Sequence, residues 1–236
     1  MSRRSHAQSV VPGAGAHYNA LRQRVYYSQH SGTHRDIMLD SVLRKPKDRL
    51  LQPITVALAG HVSATAITLT GLATGILAAM LIGFDLRVGG LVLWLLNRLF
   101  DGLDGAVSRL DGTQSDFGGY LDLMCDVIVY AAVAIGLAAG GGLETWVATA
   151  IMLAAFYINI TSWLLISAII ARRHAEGQDG PTTVKIHRGL LEGTETILVY
   201  SVLILLPEFR FTLMLAASAA AFYSIGERII LARRLL

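Results

Sequence analysis

Apolar residues dominate six long stretches of the chain, separated by short polar segments. The hydrocarbon core of a bilayer is about 30 Å thick, so a spanning helix needs about 20 mostly apolar residues. The stretches are residues 62–84, 88–108, 119–139, 145–171, 189–206 and 211–231. This pattern predicts an all-α membrane protein with six transmembrane helices.

The residues before the first stretch divide into two predicted segments. Residues 1–35 are polar and contain Gly, Ser and several Arg, and we expect them to form a flexible cytoplasmic arm. Residues 36–60 place Leu39, Leu43 and Leu50 near helical spacing among Arg and Lys. Such spacing is typical of an amphipathic helix at a membrane surface. The remaining residues, 61–236, are predicted to form the six-helix transmembrane domain.

Composition and charge support this interpretation. Hydrophobic residues make up 53% of the chain and charged residues only 16%, whereas soluble domains carry about 25% charged residues. With six spans, all of the 20 Lys and Arg residues except Arg87 and Arg210 lie on one side of the membrane. The positive-inside rule makes that side, with both termini, the cytoplasmic face of the cell inner membrane. The net charge of +3 therefore indicates a basic membrane face and no nucleic-acid partner. The single cysteine, Cys125, excludes an intramolecular disulfide and a cysteine-cluster metal site.

Two polar stripes flank the turn between the second and third predicted spans. Asp101 and Asp104 are three residues apart and share one helix face, whereas Gly118, Asp122 and Asp126 follow at intervals of four. Because the turn is short, we expect the two helices to be antiparallel neighbours. Four carboxylates would then converge at the cytoplasmic end of this helix pair.

The cost of these carboxylates indicates a function. An aspartate at bilayer depth costs about 2.5–3.5 kcal/mol on insertion scales, and clustered carboxylates also repel one another. Mg²⁺ or Mn²⁺, as two ions, would suit four hard oxygen ligands. Arg109 could neutralise a phosphate, while Gly105 and Gly118 leave room for a ligand against the backbone. The alternative is an ion or proton-coupled transporter with an acidic site. Transporter sites, however, lie near the bilayer midplane and often accompany internal repeats, and this sequence has no such repeat.

Residues 101–126, DGLDGAVSRLDGTQSDFGGYLDLMCD, resemble the signature of the CDP-alcohol phosphotransferase family, D-x2-D-G-x2-A-R-x8-G-x3-D-x3-D. All seven of the other fixed residues match, and Ser108 replaces the alanine of the signature. The first span also resembles the entry motif of the family at Ile67-Thr68-x-x-Gly71. There Ala64-Thr65 replaces the usual Pro-Asn.

The resemblance implies a metal-dependent membrane enzyme of phospholipid biosynthesis. A phosphatidyl group would pass from a CDP-linked lipid, expected to be CDP-diacylglycerol, to a small alcohol, with release of CMP. The implied metal ligands are Asp101, Asp104, Asp122 and Asp126, and Asp126 is alternatively the general base. The implied donor-binding residues are Thr68, Gly105, Ser108, Arg109 and Gly118. The resemblance also implies a homodimer, and it makes residues 61–236 the catalytic domain.

A second group of charged residues is the candidate acceptor pocket. Its members are Arg172, Lys185, Arg188, Glu192 and Glu195. The basic residues would suit a phosphorylated acceptor, although the positive-inside rule alone would also place them there. The two glutamates would hold a hydroxyl-rich or amine-bearing acceptor, or else pair with Arg188 or Arg98. Glycerol phosphate, inositol phosphate and serine all remain open as acceptors.

Three further residue patterns predict contacts inside the bundle. Gly71-x-x-x-Gly75 predicts a close approach of two helices, because small residues let backbones meet. Asn159, a polar residue in an apolar span, predicts a hydrogen bond between helices. Arg98 lies one turn before Asp101 and is expected to act as a counter-ion to the aspartates.

Overall fold

The computed structural model describes residues 51–175 and 193–235, and all regular structure in these ranges is helical. The helices are α1 Ala64–Gly83, α2 Arg87–Asp111, α3 Asp116–Ala139, α4 Leu143–Ala175, α5 Gly193–Leu205 and α6 Arg210–Leu235, with a 3₁₀ turn at Pro207–Phe209. Each of the six overlaps one of the apolar stretches of the sequence. The predicted all-helical class is confirmed for this part of the chain.

Local signals in the sequence account for several helix ends. The Ser63 hydroxyl accepts a hydrogen bond from the Ala66 amide at 3.2 Å, and the Ser115 hydroxyl accepts one from Gly118 at 3.0 Å. These hydroxyls satisfy amides in the first turns of α1 and α3, which have no partner within the helix. Helix α2 ends at Asp111 and is capped by Gly112, whose φ of 67° lies in the left-handed region that favours glycine. The turn between α2 and α3 is therefore as tight as the sequence predicts.

Four of the described helices are long and apolar enough to cross a membrane. These segments are Ala64–Gly83, Asp116–Ala139, Leu143–Arg173 and Pro207–Arg233. Helix α2 carries too many charged residues to qualify, and α5 has 13 residues, about 20 Å at 1.5 Å per residue. The start of the fifth predicted span, residues 189–192, lies outside the described ranges. The six-span count therefore stays a prediction.

The segment before α1 contacts the ends of α1 and α2. Residues 51–58 are helical, whereas the predicted arm and most of the predicted amphipathic helix lie in residues 1–50, outside the described ranges. Leu51 is buried in a small apolar cluster with Ile67, Leu103 and Val107. The Gly60 amide donates to the Asp111 carboxylate at 3.1 Å. These contacts hold the described part of the segment close to the turn between α2 and α3.

Helix α1 packs against both α2 and α3, whereas α2 and α3 make few direct backbone contacts. The predicted neighbours α2 and α3 therefore face each other through side chains rather than through packed backbones. The facing sides of α2 and α3 carry aspartates. Side chains and a cavity occupy the space between the two helices. The predicted close approach at Gly71 and Gly75 is confirmed, because a Cβ at Gly75 would lie 2.5 Å from the Val129 side chain of α3. The Asn97 amide of α2 also donates to the Gly71 carbonyl at 2.8 Å.

The second half of the bundle packs mainly through α4, which lies along α6. Smaller contacts join α5 to α2 and α6, and α3 to α4. Between α2, α3 and α5 lies an aromatic cluster of Trp94, Tyr130 and Tyr200, with ring centroids 5.2–5.4 Å apart. Trp94 and Tyr200 are fully buried. Two of its rings, those of Trp94 and Tyr130, contact the guanidinium of Arg98 in α2.

Candidate active site

A cavity of about 190 Å³ lies between the end of α2, the start of α3 and the start of α1. Four of the five residues expected to bind the donor line it, namely Thr68, Gly105, Ser108 and Gly118. Asp104 and Asp122 line it as well. Residues from three helices and the α2–α3 turn therefore meet around one polar space.

Asp104 is the most deeply buried of the four aspartates, with 4% of its surface exposed. Its carboxylate accepts a hydrogen bond of 2.6 Å from the Thr68 hydroxyl of α1 and one of 2.5 Å from the Gly105 amide. A buried carboxylate needs such donors, because an unsatisfied charge at low dielectric is costly. Thr68 is thus joined to the aspartate motif across α1 and α2.

The remaining three aspartates face one another across the gap between α2 and α3. The Asp101 carboxyl of α2 lies within hydrogen-bonding reach of both Asp122 and Asp126 of α3. All three are partly exposed. The predicted convergence of the four carboxylates is therefore observed, although side chains rather than packed backbones bridge the two helices.

Asp126 forms an ion pair with Arg98, and the guanidinium Nη2 lies 2.9 Å from the carboxylate Oδ1. The Arg98 side chain is 5% exposed and the Asp126 side chain is 31% exposed. The sequence predicts Arg98 as a counter-ion of the aspartates, and in the structure Arg98 pairs with Asp126. One charge of the cluster is thus neutralised from within the protein.

The donor set suits a divalent cation. All four side chains offer carboxylate oxygens, which are the ligands that Mg²⁺ and Mn²⁺ prefer. Within the described residues, no three acidic, histidine or cysteine side chains form a ready-made chelate. Two of the four carboxylates are engaged elsewhere, since Asp104 binds Thr68 and Asp126 binds Arg98. The oxygen chemistry therefore fits a metal, and small side-chain rotations would be needed to hold one.

Arg109 lies beside the cavity rather than in its wall. Its side chain is exposed and folds back over Gly105, where an added Cβ would come within 3.1 Å of the guanidinium. Gly105 itself lines the cavity. A glycine at this position therefore lets the guanidinium approach the mouth of the cavity.

The candidate acceptor residues are only partly described. Lys185, Arg188 and Glu192 lie outside the described ranges. Arg172 is exposed near the end of α4, and Glu195 is half-buried in the first turn of α5. One carboxylate oxygen of Glu195, Oε2, is buried without a hydrogen-bond partner among the described residues. The acceptor pocket stays a prediction.

Sequence reasoning missed the environment of Arg228. It counted this residue only among the basic residues near the C-terminus, yet Arg228 is 4% exposed inside α6. Its guanidinium donates to the backbone carbonyl of Asn159 at 2.8 Å and to the side-chain oxygen of Asn159 at 2.6 Å. The predicted interhelical hydrogen bond of Asn159 is therefore confirmed. The available signal was the charged pair Glu227 and Arg228 inside a largely apolar stretch.

A wider cavity of about 550 Å³ opens at the opposite end of the bundle. Its walls come from the start of α4, the residue before it and the start of α6, with Leu143, Val147 and Phe211 as the main apolar side chains. None of the predicted site residues lines it. The smaller cavity, by contrast, is lined by Asp104 and Asp122.

Comparison with known proteins places these residues in a family. A family model described as CDP-alcohol phosphatidyltransferase matches residues 61–223. Inner membrane protein YnjF of Escherichia coli (strain K12) is 36% identical over 166 residues, covering 69% of this chain and 80% of that protein. The phosphatidylinositol phosphate synthase of Mycobacteroides abscessus is 34% identical over 158 residues, covering 64% of this chain and 66% of that protein.

The fold has a counterpart among solved structures. The crystal structure of phosphatidylinositol phosphate synthase from Mycobacterium tuberculosis with CDP-DAG bound matches with a TM-score of 0.55 and 24% identity, covering 77% of this chain and 92% of that one. A second structure of that synthase, in complex with manganese and citrate, matches with a TM-score of 0.51 and 23% identity. At this identity the likeness concerns the fold alone. The motif around the cavity and the family match over most of the described residues lead to one conclusion: this chain belongs to the CDP-alcohol phosphatidyltransferase family.

Proposed function

We propose that this integral membrane protein transfers a phosphatidyl group from CDP-diacylglycerol to a small alcohol and releases CMP. The observation that carries the proposal is the single cavity whose wall contains Thr68, Gly105, Ser108 and Gly118 together with Asp104 and Asp122. The family resemblance implies a donor-binding or metal-binding role for each of these residues. Family membership also favours an enzyme over the alternative of an ion or proton-coupled transporter.

Asp101, Asp104 and Asp122 would hold the metal, either Mg²⁺ or Mn²⁺ and expected as two ions, while Asp126 would be a further ligand or the general base. When bound, such ions neutralise phosphate charge and stabilise the attacking and leaving oxygens of an in-line displacement. Thr68 keeps the Asp104 carboxylate in place through its 2.6 Å hydrogen bond. Gly105 and Gly118 keep the cavity wall free of side chains where the cytidine diphosphate would lie, and Ser108 offers a hydroxyl to it.

Asp126 is the proposed general base. The acceptor oxygen forms a bond to the phosphorus of the donor, the bond from that phosphorus to the CMP oxygen breaks, and the acceptor proton moves to Asp126. Part of the Asp126 side chain is exposed while Arg98 holds its Oδ1, so Oδ2 is the oxygen left for the acceptor hydroxyl. A carboxylate in hydrogen-bond reach of the hydroxyl can perform this transfer.

The acceptor is proposed to bind between the end of α4 and the start of α5. Arg172, Lys185 and Arg188 would attract a phosphorylated alcohol, whereas Glu192 and Glu195 would bind its hydroxyl groups. A relative with 34% identity is named phosphatidylinositol phosphate synthase. Inositol phosphate is therefore the first acceptor to test, followed by glycerol phosphate and serine.

The orientation follows from the charge distribution. We place the termini and the cavity at the cytoplasmic face, with residues 1–35 as an arm, residues 36–60 along the membrane surface and residues 61–236 as a six-span catalytic domain. Arg87 and Arg210 would then lie on the opposite side. Labelling of introduced cysteines from each side tests this orientation. The homodimer is proposed from the family resemblance, and light scattering in detergent tests it.

The proposed reaction predicts metal-dependent release of CMP. The full-length protein, purified in detergent, is incubated with CDP-diacylglycerol, Mn²⁺ or Mg²⁺, and each acceptor in turn. We expect CMP release with one acceptor, loss of release on chelation with EDTA, and recovery when Mn²⁺ is restored. No release with any acceptor, together with no binding of CDP, would overturn the proposal and favour the alternative of an ion or proton-coupled transporter.

Replacing Arg109 by Ala is expected to weaken donor binding by about tenfold, because one charge-assisted contact to a phosphate is worth about 1.5–3 kcal/mol. The measurement is the KM for CDP-diacylglycerol, with turnover at saturation changing less. Arg233, a basic residue exposed near the end of α6, provides the control when replaced by Ala. An unchanged KM in Arg109→Ala would remove this residue from the phosphate site.

A further inference from the structure

Arg98 occupies a cage whose members come from two helices. Its guanidinium carbon lies 4.9 Å from the ring centroid of Trp94 and 4.7 Å from that of Tyr130. Its Nε and Nη2 atoms donate to the Asn97 side-chain oxygen at 2.8 and 2.5 Å. Aromatic faces attract a cation, most strongly where water is excluded. The guanidinium therefore contacts two neighbouring aromatic rings and is hydrogen-bonded along one edge.

The cage is itself tied to a third helix. The Asn97 amide nitrogen donates to the Gly71 carbonyl of α1 at 2.8 Å. Tyr130 lies on α3, one turn beyond Asp126, and Trp94 lies on α2, one turn before Arg98. The position of the guanidinium thus depends on α1, α2 and α3 together. A lysine could not reproduce these contacts. Its ammonium lacks the planar group that bonds to both the Asn97 oxygen and the Asp126 carboxylate.

We propose that Arg98 is a positioning residue: it fixes the Asp126 carboxylate so that its second oxygen faces the acceptor, and its permanent charge limits how strongly the carboxylate cluster attracts cations. This inference rests on the proposed role of Asp126 as the base. The 2.9 Å ion pair occupies Oδ1 of Asp126 from the buried side. The exposed part of the carboxylate then points toward the gap shared with Asp101.

The two effects of Arg98 have opposite signs, which makes the inference testable. Loss of the guanidinium releases the Asp126 carboxylate from its fixed orientation, so turnover falls. The same loss leaves four carboxylates without this internal cation, so divalent cations bind more tightly. A merely structural defect would weaken metal binding and turnover together.

The experiment compares Arg98→Gln and Arg98→Lys with the wild-type chain in detergent. Mn²⁺ affinity is measured by electron paramagnetic resonance of the free ion, and CMP release gives kcat and KM. For Arg98→Gln we expect Mn²⁺ to bind about threefold or more tighter and kcat to fall about tenfold or more. For Arg98→Lys we expect Mn²⁺ affinity within about twofold of wild type, because the charge is kept, and an intermediate kcat.

Arg210→Gln is the matched control. Arg210 is 4% exposed, close to the 6% of Arg98, and donates to the Leu137 and Leu203 carbonyls at the opposite end of the bundle. We expect it to lower the melting temperature without tightening Mn²⁺ binding. The inference is overturned if Arg98→Gln leaves both Mn²⁺ affinity and kcat unchanged, or lowers both as a destabilised protein would.

Two further outcomes keep this test separate from that of the reaction. If Arg98→Gln does not fold, Arg98→Lys decides, and a wild-type kcat in that variant overturns the inference. If the wild-type chain releases no CMP, the proposed function fails, and the Mn²⁺ affinities alone decide whether Arg98 restrains the carboxylate cluster.

Discussion

Asp126→Asn is expected to lower the rate of CMP release by about a thousandfold, within the range of 10²–10⁴ that a general base contributes. Asparagine has nearly the same shape and can still accept the Arg98 hydrogen bond, but it cannot take the acceptor proton. Asp101, Asp104 and Asp122 stay in place, so donor binding should be largely retained. Single-turnover CMP release and competition by CDP measure the two quantities separately.

Asp111→Asn is the matched control for that variant. Asp111 ends α2, is exposed, and accepts a hydrogen bond from the Gly60 amide, which an asparagine oxygen can also accept. Its carboxylate does not line the cavity. We expect the control to retain wild-type turnover. Wild-type activity in Asp126→Asn would show that another group takes the proton.

Gly136→Ala is expected to give the largest loss of stability among single-methyl changes in α3, about 3 kcal/mol, at the upper end of the usual cost of overpacking. A Cβ at Gly136 would overlap the backbone carbonyl oxygen of Ala79 in α1. Backbone atoms cannot rotate away as a side chain can, so α1 and α3 must separate. Because α1 also carries Thr68, some loss of activity should accompany the loss of stability.

Thermal unfolding in detergent measures this effect, with Gly226→Ala as its control. Gly226 lies inside α6 and has no atom within 4 Å of an added Cβ. Alanine is favoured over glycine inside a helix by about 1 kcal/mol, so the control should melt at the wild-type temperature or slightly above it. Equal melting temperatures for the two variants would show that α1 and α3 are not in close contact at Gly136.

Much of the site could be predicted from residue spacing. Asp101 and Asp104 share a face because a helix repeats every 3.6 residues, and the same rule aligns Asp122 with Asp126. The turn at Gly112 could be predicted from a glycine that follows a helical pattern. Gly71 and Gly75 likewise predicted a close contact between helices, and Asn159 predicted an interhelical hydrogen bond. These features depend on local geometry, which the sequence contains.

Other features depend on which helices meet. Spacing predicted that α2 and α3 are antiparallel neighbours, but it did not show that α1 packs against both. Nor did it show that α2 and α3 approach each other mainly through side chains. In a membrane, association depends on close packing and hydrogen bonds more than on apolar periodicity. Periodicity therefore could not rank the possible neighbours of α1.

The sequence by itself determined the helical class of this protein, the two aspartate stripes and the tight turn that joins them, because each follows from contacts within a few residues. Only the tertiary structure decided that Arg98 pairs with Asp126, that Thr68 bonds to Asp104 and that Arg228 bonds to Asn159. The members of these pairs lie between 28 and 69 positions apart. Which residues form these pairs depends on how the helices pack and on the need to satisfy buried polar and charged groups. Neither can be read from a single stretch of the chain.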